Sequence, residues 1–553
     1  MLGFAWDAYK PTDLASAEAQ AIEWDVVVIG AGMGGGFAGL SLAQGGKKVL
    51  FLERGRAPAS SRGRTPGRIA RLMSDQHRAE ALRQRGRWDK RVAVMVDGKR
   101  ATVQVPLGNG PGGSSAVYGA AVERYMRQDF TGEHGANAMP GVLSNTWPVG
   151  YDTFLSSYRA AEAILRPSGT RDPCDADDDA RLMPPPALSE RDEWLAERFN
   201  AAGLPAYRVH VAVDYLPGCT ECLGELCPRM CKSDGASRGV IPALVAHGAM
   251  IALDCEVDRL EMDGPRVAGV RARQNGRDVM VRATTVILAA GAYISPLVLL
   301  RSAGPDHPKG VGNHHDLVGR GVMFHVDQMF AVWAPRHLST SGPVKTFASK
   351  QLYVENGKRI GSLQALSGVV EAGHIEEYLR NMLPVLPLAV FNLGVRFGCR
   401  MVAMIAARVF AGAVLFSTKT EDFAYAENRV LPDAQSPSGF VVQYTFPAEL
   451  AERAQAIRLA ATRKLRAAGV RVFFLSRMRN LNFGHAAGTC RIGTTPDQGV
   501  VDASGRVWGT DNLYIADASV LPTSAAINPS LTVAACALRT ADTILRAETG
   551  DRY

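Results

Sequence analysis

Asp25-Val26-Val27-Val28-Ile29-Gly30-Ala31-Gly32-Met33-Gly34-Gly35 is the stretch that decides the fold. Its β-branched run reads as a buried parallel strand. The strand empties into Gly30, Gly32 and Gly35, spaced G-x-G-x-x-G. The first glycine permits a tight turn, the second lets the backbone approach a pyrophosphate, and the third lets helix and strand pack closely. Phe37 to Gln44 continues as a small-residue helix whose N-terminus faces the phosphates. A second apolar strand, Lys48 to Leu52, ends at Glu53, an acid placed to accept both ribose hydroxyls and to repel a 2′-phosphate. Together these parts predict a dinucleotide-binding unit. FAD and NAD put an adenosine diphosphate in the same place, so this unit alone leaves the choice between them open.

Outward from that unit, 553 residues exceed what one compact core holds, so at least two domains are expected. At 47% hydrophobic and 21% charged, the composition is globular and excludes general disorder. The net charge of +8 is mild for this length. The densest basic stretch, Arg62 to Arg91, reads as a solvated loop and helix face, and no nucleic-acid motif accompanies it. Met1 to Ala21 lacks the pattern of a signal peptide, so a cytoplasmic protein is expected. The apolar stretch Met382 to Phe416 is broken by Pro384, Pro387, Arg396, Arg400 and Arg408, too often for a membrane-crossing helix. It reads as amphipathic cover over a substrate cavity, with membrane-surface contact as the lesser reading.

Six further segments carry a resemblance. Asn109 to Gly119 (N-G-P-G-G-S-S-A-V-Y-G), Gly291 to Pro296 with Leu299, Leu300 and Ser302, and Val318-Gly319-Arg320 with His325 come first. Glu427-Asn428-Arg429-Val430, His485 to Gly493 (H-A-A-G-T-C-R-I-G), and Asn512 to Asp517 with Asn528-Pro529 follow in that order. The chain from Asp25 to Leu545 thereby resembles the glucose-methanol-choline oxidoreductases. That resemblance implies a Rossmann-type α/β FAD-binding domain interrupted by an α+β substrate domain with an antiparallel sheet. Residues 24–145, 212–322 and 482–553 would form the FAD domain, residues 146–211 and 323–481 the substrate domain, and residues 1–23 a tail. Strand-like runs at Gln328–Trp333, Val414–Thr418 and Phe440–Tyr444 would make the antiparallel sheet.

The implied chemistry is oxidation of an alcohol to a carbonyl, with hydride transfer to flavin N5 and a base for the hydroxyl proton. The resemblance makes His485 that base and Asn528 its partner on the substrate oxygen. The bland reading of Asn528 is an N-cap, with Pro529 opening an apolar helix striped by Leu531, Ala535, Leu538, Ala541 and Leu545. The implied cofactor contacts are Gly30, Gly32, Gly35, Glu53, Gly113, Ser114, Asp517 and Asn528. Some relatives attach the flavin through a histidine in the Gly112–Gly119 region. This segment has none, so non-covalent FAD is expected, and Tyr118 stands where many relatives have Asn.

Cys219, Cys222, Cys227 and Cys231 are spaced C-x2-C-x4-C-x3-C. Such density in a cytoplasmic chain favours metal ligation over disulfides. Part of the spacing resembles the iron–sulfur segment of bacterial FAD-dependent glucose dehydrogenases, though Glu221 stands where those have a second Cys. An iron–sulfur cluster, disulfides and zinc all stay open. The apolar Met382–Phe416 stretch hints at a bulky or apolar alcohol, and sugars fit the family equally. The electron acceptor is not legible. A non-redox or light-driven flavoprotein on the same fold is the alternative reading.

Overall fold

A computed structural model describes residues 6, 9–57, 75–132, 139–366, 398, 401, 412–476 and 478–549. Most of the Met382–Phe416 stretch and the first part of the Arg62–Arg91 stretch lie outside the described residues.

The valine-rich strand Trp24–Ile29 is the centre of a five-stranded parallel sheet. Across the sheet the order is Leu513–Ile515, Ala283–Leu288, Trp24–Ile29, Val49–Leu52, Met250–Ala252, and every pairing is parallel. Burial on both faces explains the continuous apolar runs. The glycine helix, Met33–Gln44, and the terminal helix, Ser530–Thr549, pack against one another, with the side chain of Leu545 against Gly45. An antiparallel three-stranded meander, Cys255–Asp263, Arg266–Gln274 and Arg277–Val281, lies beyond the sheet.

A second, antiparallel sheet runs in the order Arg471–Phe474, Met323–Trp333, Ala413–Glu421, Ser362–Ala365, Phe347–Ser349, Tyr207–Arg208. Strand Leu481–Ala487 pairs with Met323–Trp333 as well. Side-chain alternation gives this sheet two unlike faces. Phe330, Val332, Phe347, Leu363 and Phe416 form one apolar core with Leu195, Phe199, Ile457 and Leu465. His325 and Asp327 share the opposite face with Lys419 and Ser362 (register pairs Asp327–Lys419 and Lys419–Ser362). The sheet's position is fixed by two bonds from this face: Ser362 Oγ donates to Ala526 O at 2.7 Å, and His325 Nε2 lies 3.1 Å from Ser524 O.

Two elements depart from expectation. Phe440–Tyr444 is a strand, but it pairs in parallel with Val92–Val96 in a separate four-stranded sheet. Its apolar alternation defines a strand and says nothing of the partner. The helix Tyr151–Leu165 packs on the terminal helix: Tyr158 OH lies 2.9 Å from Thr532 Oγ1, and Phe130, Trp147, Phe154 and Tyr158 form an aromatic cluster. Among the described residues, no helix is long and apolar enough to cross a membrane.

Candidate active site

One cavity is lined both by the glycine turn, at Gly30 and Gly32, and by His485 and Asn528. At the turn, Gly30 takes φ +99°, and a Cβ there would lie 2.5 Å from Ala289 O. A Cβ on Gly35 would lie 2.0 Å from Gly30 O, which is the close helix–strand approach the third glycine allows. Gly32 differs. The nearest atom to a Cβ there is Gly113 Cα at 3.9 Å, so the missing side chain leaves space in the cavity itself.

Gly113 opens a short turn whose preceding residue is tied to the first loop, Gly112 N donating to Ala31 O at 2.7 Å. Ser114 Oγ accepts from Gly108 N at 3.2 Å and lines the cavity. Glu53 accepts from Ala31 N (2.9 Å) and Gly55 N (2.8 Å), one bond to each carboxylate oxygen, which fixes its orientation at the cavity wall. Asp517 accepts from Gly291 N (2.8 Å), Ser295 Oγ (2.5 Å) and Ser519 N (2.8 Å), while burial pushes its pKa up. The glycine cradle, the aligned acid and the helix N-terminus fit a dinucleotide.

In the cavity wall, His485 on Leu481–Ala487 meets His325 on Met323–Trp333, Nδ1 to Nδ1, at 2.9 Å. A carbonyl only accepts, so His325 Nε2 donates to Ser524 O. Burial holds His325 below its usual pKa, with Asp327 opposing, so its ring is neutral and its Nδ1 is a bare acceptor. His485 Nδ1–H therefore donates to His325, and His485 Nε2 keeps a free lone pair. Asn482 Nδ2 stands 3.2 Å from the same His485 nitrogen and donates to Asp327 Oδ2 at 2.7 Å, and its Oδ1 accepts from Gly484 N at 3.0 Å.

Charge around this pair is set by burial and by neighbours. Burial first, then the facing His325, push the His485 pKa down to about 3, with Asp327 pulling upward. Burial works against the charge of Asp327, but Lys419, His485 and His325 outweigh it and hold the carboxyl below its usual range. Asp327 thus stays ionised behind Asn482, one residue removed from the imidazole.

Asn528 lines the same cavity. It does not cap its helix: Val533 N donates to Pro529 O at 2.9 Å, which makes Pro529 the cap residue and leaves Asn528 before it. Its buried Oδ1 has no hydrogen-bond partner among the described residues. A buried, unpartnered amide oxygen costs free energy unless a ligand meets it. His485, Asn528, Gly30, Gly32, Glu53, Gly113, Ser114 and Asp517 thus line one cavity. Gly35 lies behind the turn. Asp327, Asn482 and Ser524 were not singled out from sequence. The signal available was the alternation in Phe324-His325-Val326-Asp327, which puts two titratable side chains on one strand face.

The four clustered cysteines do not form the expected metal site. Cys231 Sγ lies 3.3 Å from Cys227 Sγ and 3.5 Å from Cys219 Sγ, while Cys222 Sγ lies 3.5 Å from Thr220 Oγ1. Thiolates on a tetrahedral metal at 2.3 Å stand about 3.8 Å apart. Among the described residues, no group of three or more His, Cys, Asp or Glu side chains is arranged to hold a metal ion.

Comparison with known proteins shows the family and the fold. A family profile described as FAD dependent oxidoreductase matches residues 25–397, and one described as GMC oxidoreductase matches residues 442–537. The 6'''-hydroxyparomomycin C oxidase of Streptomyces lividus is 28% identical, with 99% of this chain and 97% of the relative covered. Paromamine 6'-oxidase of Streptomyces fradiae is 27% identical over 94% of this chain and 91% of its own. Among solved structures, pyridoxine 4-oxidase from Mesorbium loti shares the fold with a TM-score of 0.61 at 19% identity, covering 96% of this chain and 100% of that one.

Proposed function

The chain belongs to the glucose-methanol-choline family of FAD-dependent oxidoreductases acting on alcohol groups, and from that premise we propose that His485 is the base that deprotonates the substrate hydroxyl. When bound, FAD supplies the N5 atom that accepts a hydride from the carbinol carbon. Everything else falls to the protein. Gly30, Gly32, Glu53, Gly113, Ser114 and Asp517 would hold the cofactor without a covalent bond, with Gly35 letting helix and strand close behind the turn, in the unit made of residues 24–145, 212–322 and 482–553.

The observation that carries this reading is the 2.9 Å contact between His325 Nδ1 and His485 Nδ1, from which the lone pair is assigned to His485 Nε2. His325 donates to Ser524 O and accepts from His485 Nδ1, which commits that ring nitrogen and leaves Nε2 to take the proton. Proton uptake there makes an imidazolium, and the nearby ionised Asp327 offsets its charge. Asn528 meets the substrate oxygen and fixes the carbon toward the flavin side. Relatives are named as oxidases of paromamine and of 6'''-hydroxyparomomycin C, and the substrate proposed here is placed at the level of a CH–OH alcohol.

The test is stoichiometric. Anaerobic protein mixed with a panel of alcohols should release one carbonyl product per flavin reduced with at least one of them. Product formed while the flavin stays oxidised would overturn the reading.

A further inference from the structure

The cysteine loop, which shows no metal-holding arrangement among the described residues, has the geometry of a different site. We propose that Cys227 and Cys231 are a thiol–disulfide exchange pair that staples their loop against the glycine-serine turn of the FAD site.

The closest sulfur contact is Cys227 to Cys231 at 3.3 Å, so closing to the roughly 2.05 Å of a disulfide needs a displacement of only about 1.3 Å. Cys231 is buried, whereas Cys227 is partly exposed, so an exchange partner from solvent meets Cys227 first. The loop is wound tightly around this pair. Glu221, Cys222 and Met230 all take positive φ (+62°, +44° and +52°), a conformation that non-glycine residues hold only where the surroundings enforce it.

Enforcement comes from Lys232, next in sequence to Cys231. Its ammonium is fully buried and donates to Ala116 O (2.8 Å), Cys222 O (3.1 Å) and Glu225 O (2.6 Å). Ala116 ends the Gly113–Ala116 turn. Gly224 N also donates to Tyr118 O at 3.0 Å, and Tyr118 lines the cofactor cavity. The loop on one side of Lys232 thus grips the turn that carries Gly113 and Ser114. Lys232 holds the loop to Ala116 O, and a bond between Cys227 and Cys231 closes the short stretch that ends beside this lysine.

The exchange balances with a small-molecule disulfide as oxidant. The Cys227 thiolate attacks it, forming a mixed disulfide and releasing one small thiolate. Cys231 loses its proton to solvent and attacks the Cys227 sulfur, releasing the second. Two protein thiols become one disulfide, and one oxidised small disulfide becomes two thiols.

The experiment uses full-length, FAD-loaded protein treated with either dithiothreitol or oxidised glutathione, then alkylated and cut with trypsin. Cleavage after Arg229 separates the two cysteines, so the bond appears as a cross-linked peptide pair 2 Da lighter than its parts. Oxidised protein should show the Cys227–Cys231 link, and C219S should retain it, while C227S and C231S should lose it. FAD release on dilution should be several-fold slower in the oxidised protein, with the difference gone in C231S. A loop that binds one equivalent of iron or zinc, or that shows no link to Cys231, overturns the pair. A link that leaves FAD release unchanged overturns the staple.

Discussion

His325 Nδ1 lies 2.9 Å from His485 Nδ1, two imidazoles joined through one proton. Because Ser524 O takes the other His325 nitrogen at 3.1 Å, the direction of the shared bond follows, and with it the tautomer of His485. His325 acts on the reaction only through its neighbour. His325→Ala should keep FAD bound and slow its reduction by alcohol by about 10- to 100-fold, measured by anaerobic stopped-flow absorbance. Reduction at the wild-type rate would show that the tautomer is set elsewhere.

Acid should act on this pair late. The base works in its neutral form, and burial with the facing His325 pushes the His485 pKa down to about 3. The reductive rate should therefore stay flat as pH falls through the ordinary imidazole value near 6.5, and decline only well below it. Linkage has the matching sign: a folded pKa below the unfolded one means the unfolded chain binds more protons in that window, so stability falls as pH drops below about 6.5. A rate halved at pH 6.5 would contradict the lowered pKa.

Asn528 separates a chemical role from a capping one. Its Oδ1 has no partner among the described residues, and Pro529 O receives the first helical bond. A lost cap would cost about 1 kcal/mol, whereas Asn528→Ala should leave the melting temperature within about 1 °C. Flavin reduction should slow by at least about tenfold, with the FAD content retained.

The second and third glycines of the triplet should fail differently. A Cβ at Gly32 enters open cavity, while one at Gly35 lands 2.0 Å from Gly30 O. Gly32→Ala should fold with near-native apoprotein stability yet bind FAD at least about tenfold more weakly. Gly35→Ala should lower the melting temperature of the apoprotein as well. Equal effects on both properties would refute the distinction.

Much of this was written in the chain. Asp25–Gly35 and Glu53 announced the strand, the glycine turn, the helix and the acid beside it, because each residue type there answers a local geometric need. The motif beginning at His485 announced the histidine of the cavity wall by resemblance. What stayed hidden depends on contacts across long stretches of chain. Nothing local in Phe440–Tyr444 says that it pairs with Val92–Val96. Asn482, Asp327 and Ser524 converge on the histidine pair from three separate segments, and only the assembled sheets bring them there. Cys219, Cys222, Cys227 and Cys231 show the converse: dense spacing suggested a metal site, but side-chain directions did not supply one.

The most direct measurement is the absorbance of FAD-loaded protein mixed anaerobically with an alcohol that reduces it, for wild type and His485→Ala side by side. The wild-type flavin should bleach, and the variant, with the same FAD content, should stay yellow. A variant that bleaches as fast as wild type would contradict His485 as the base.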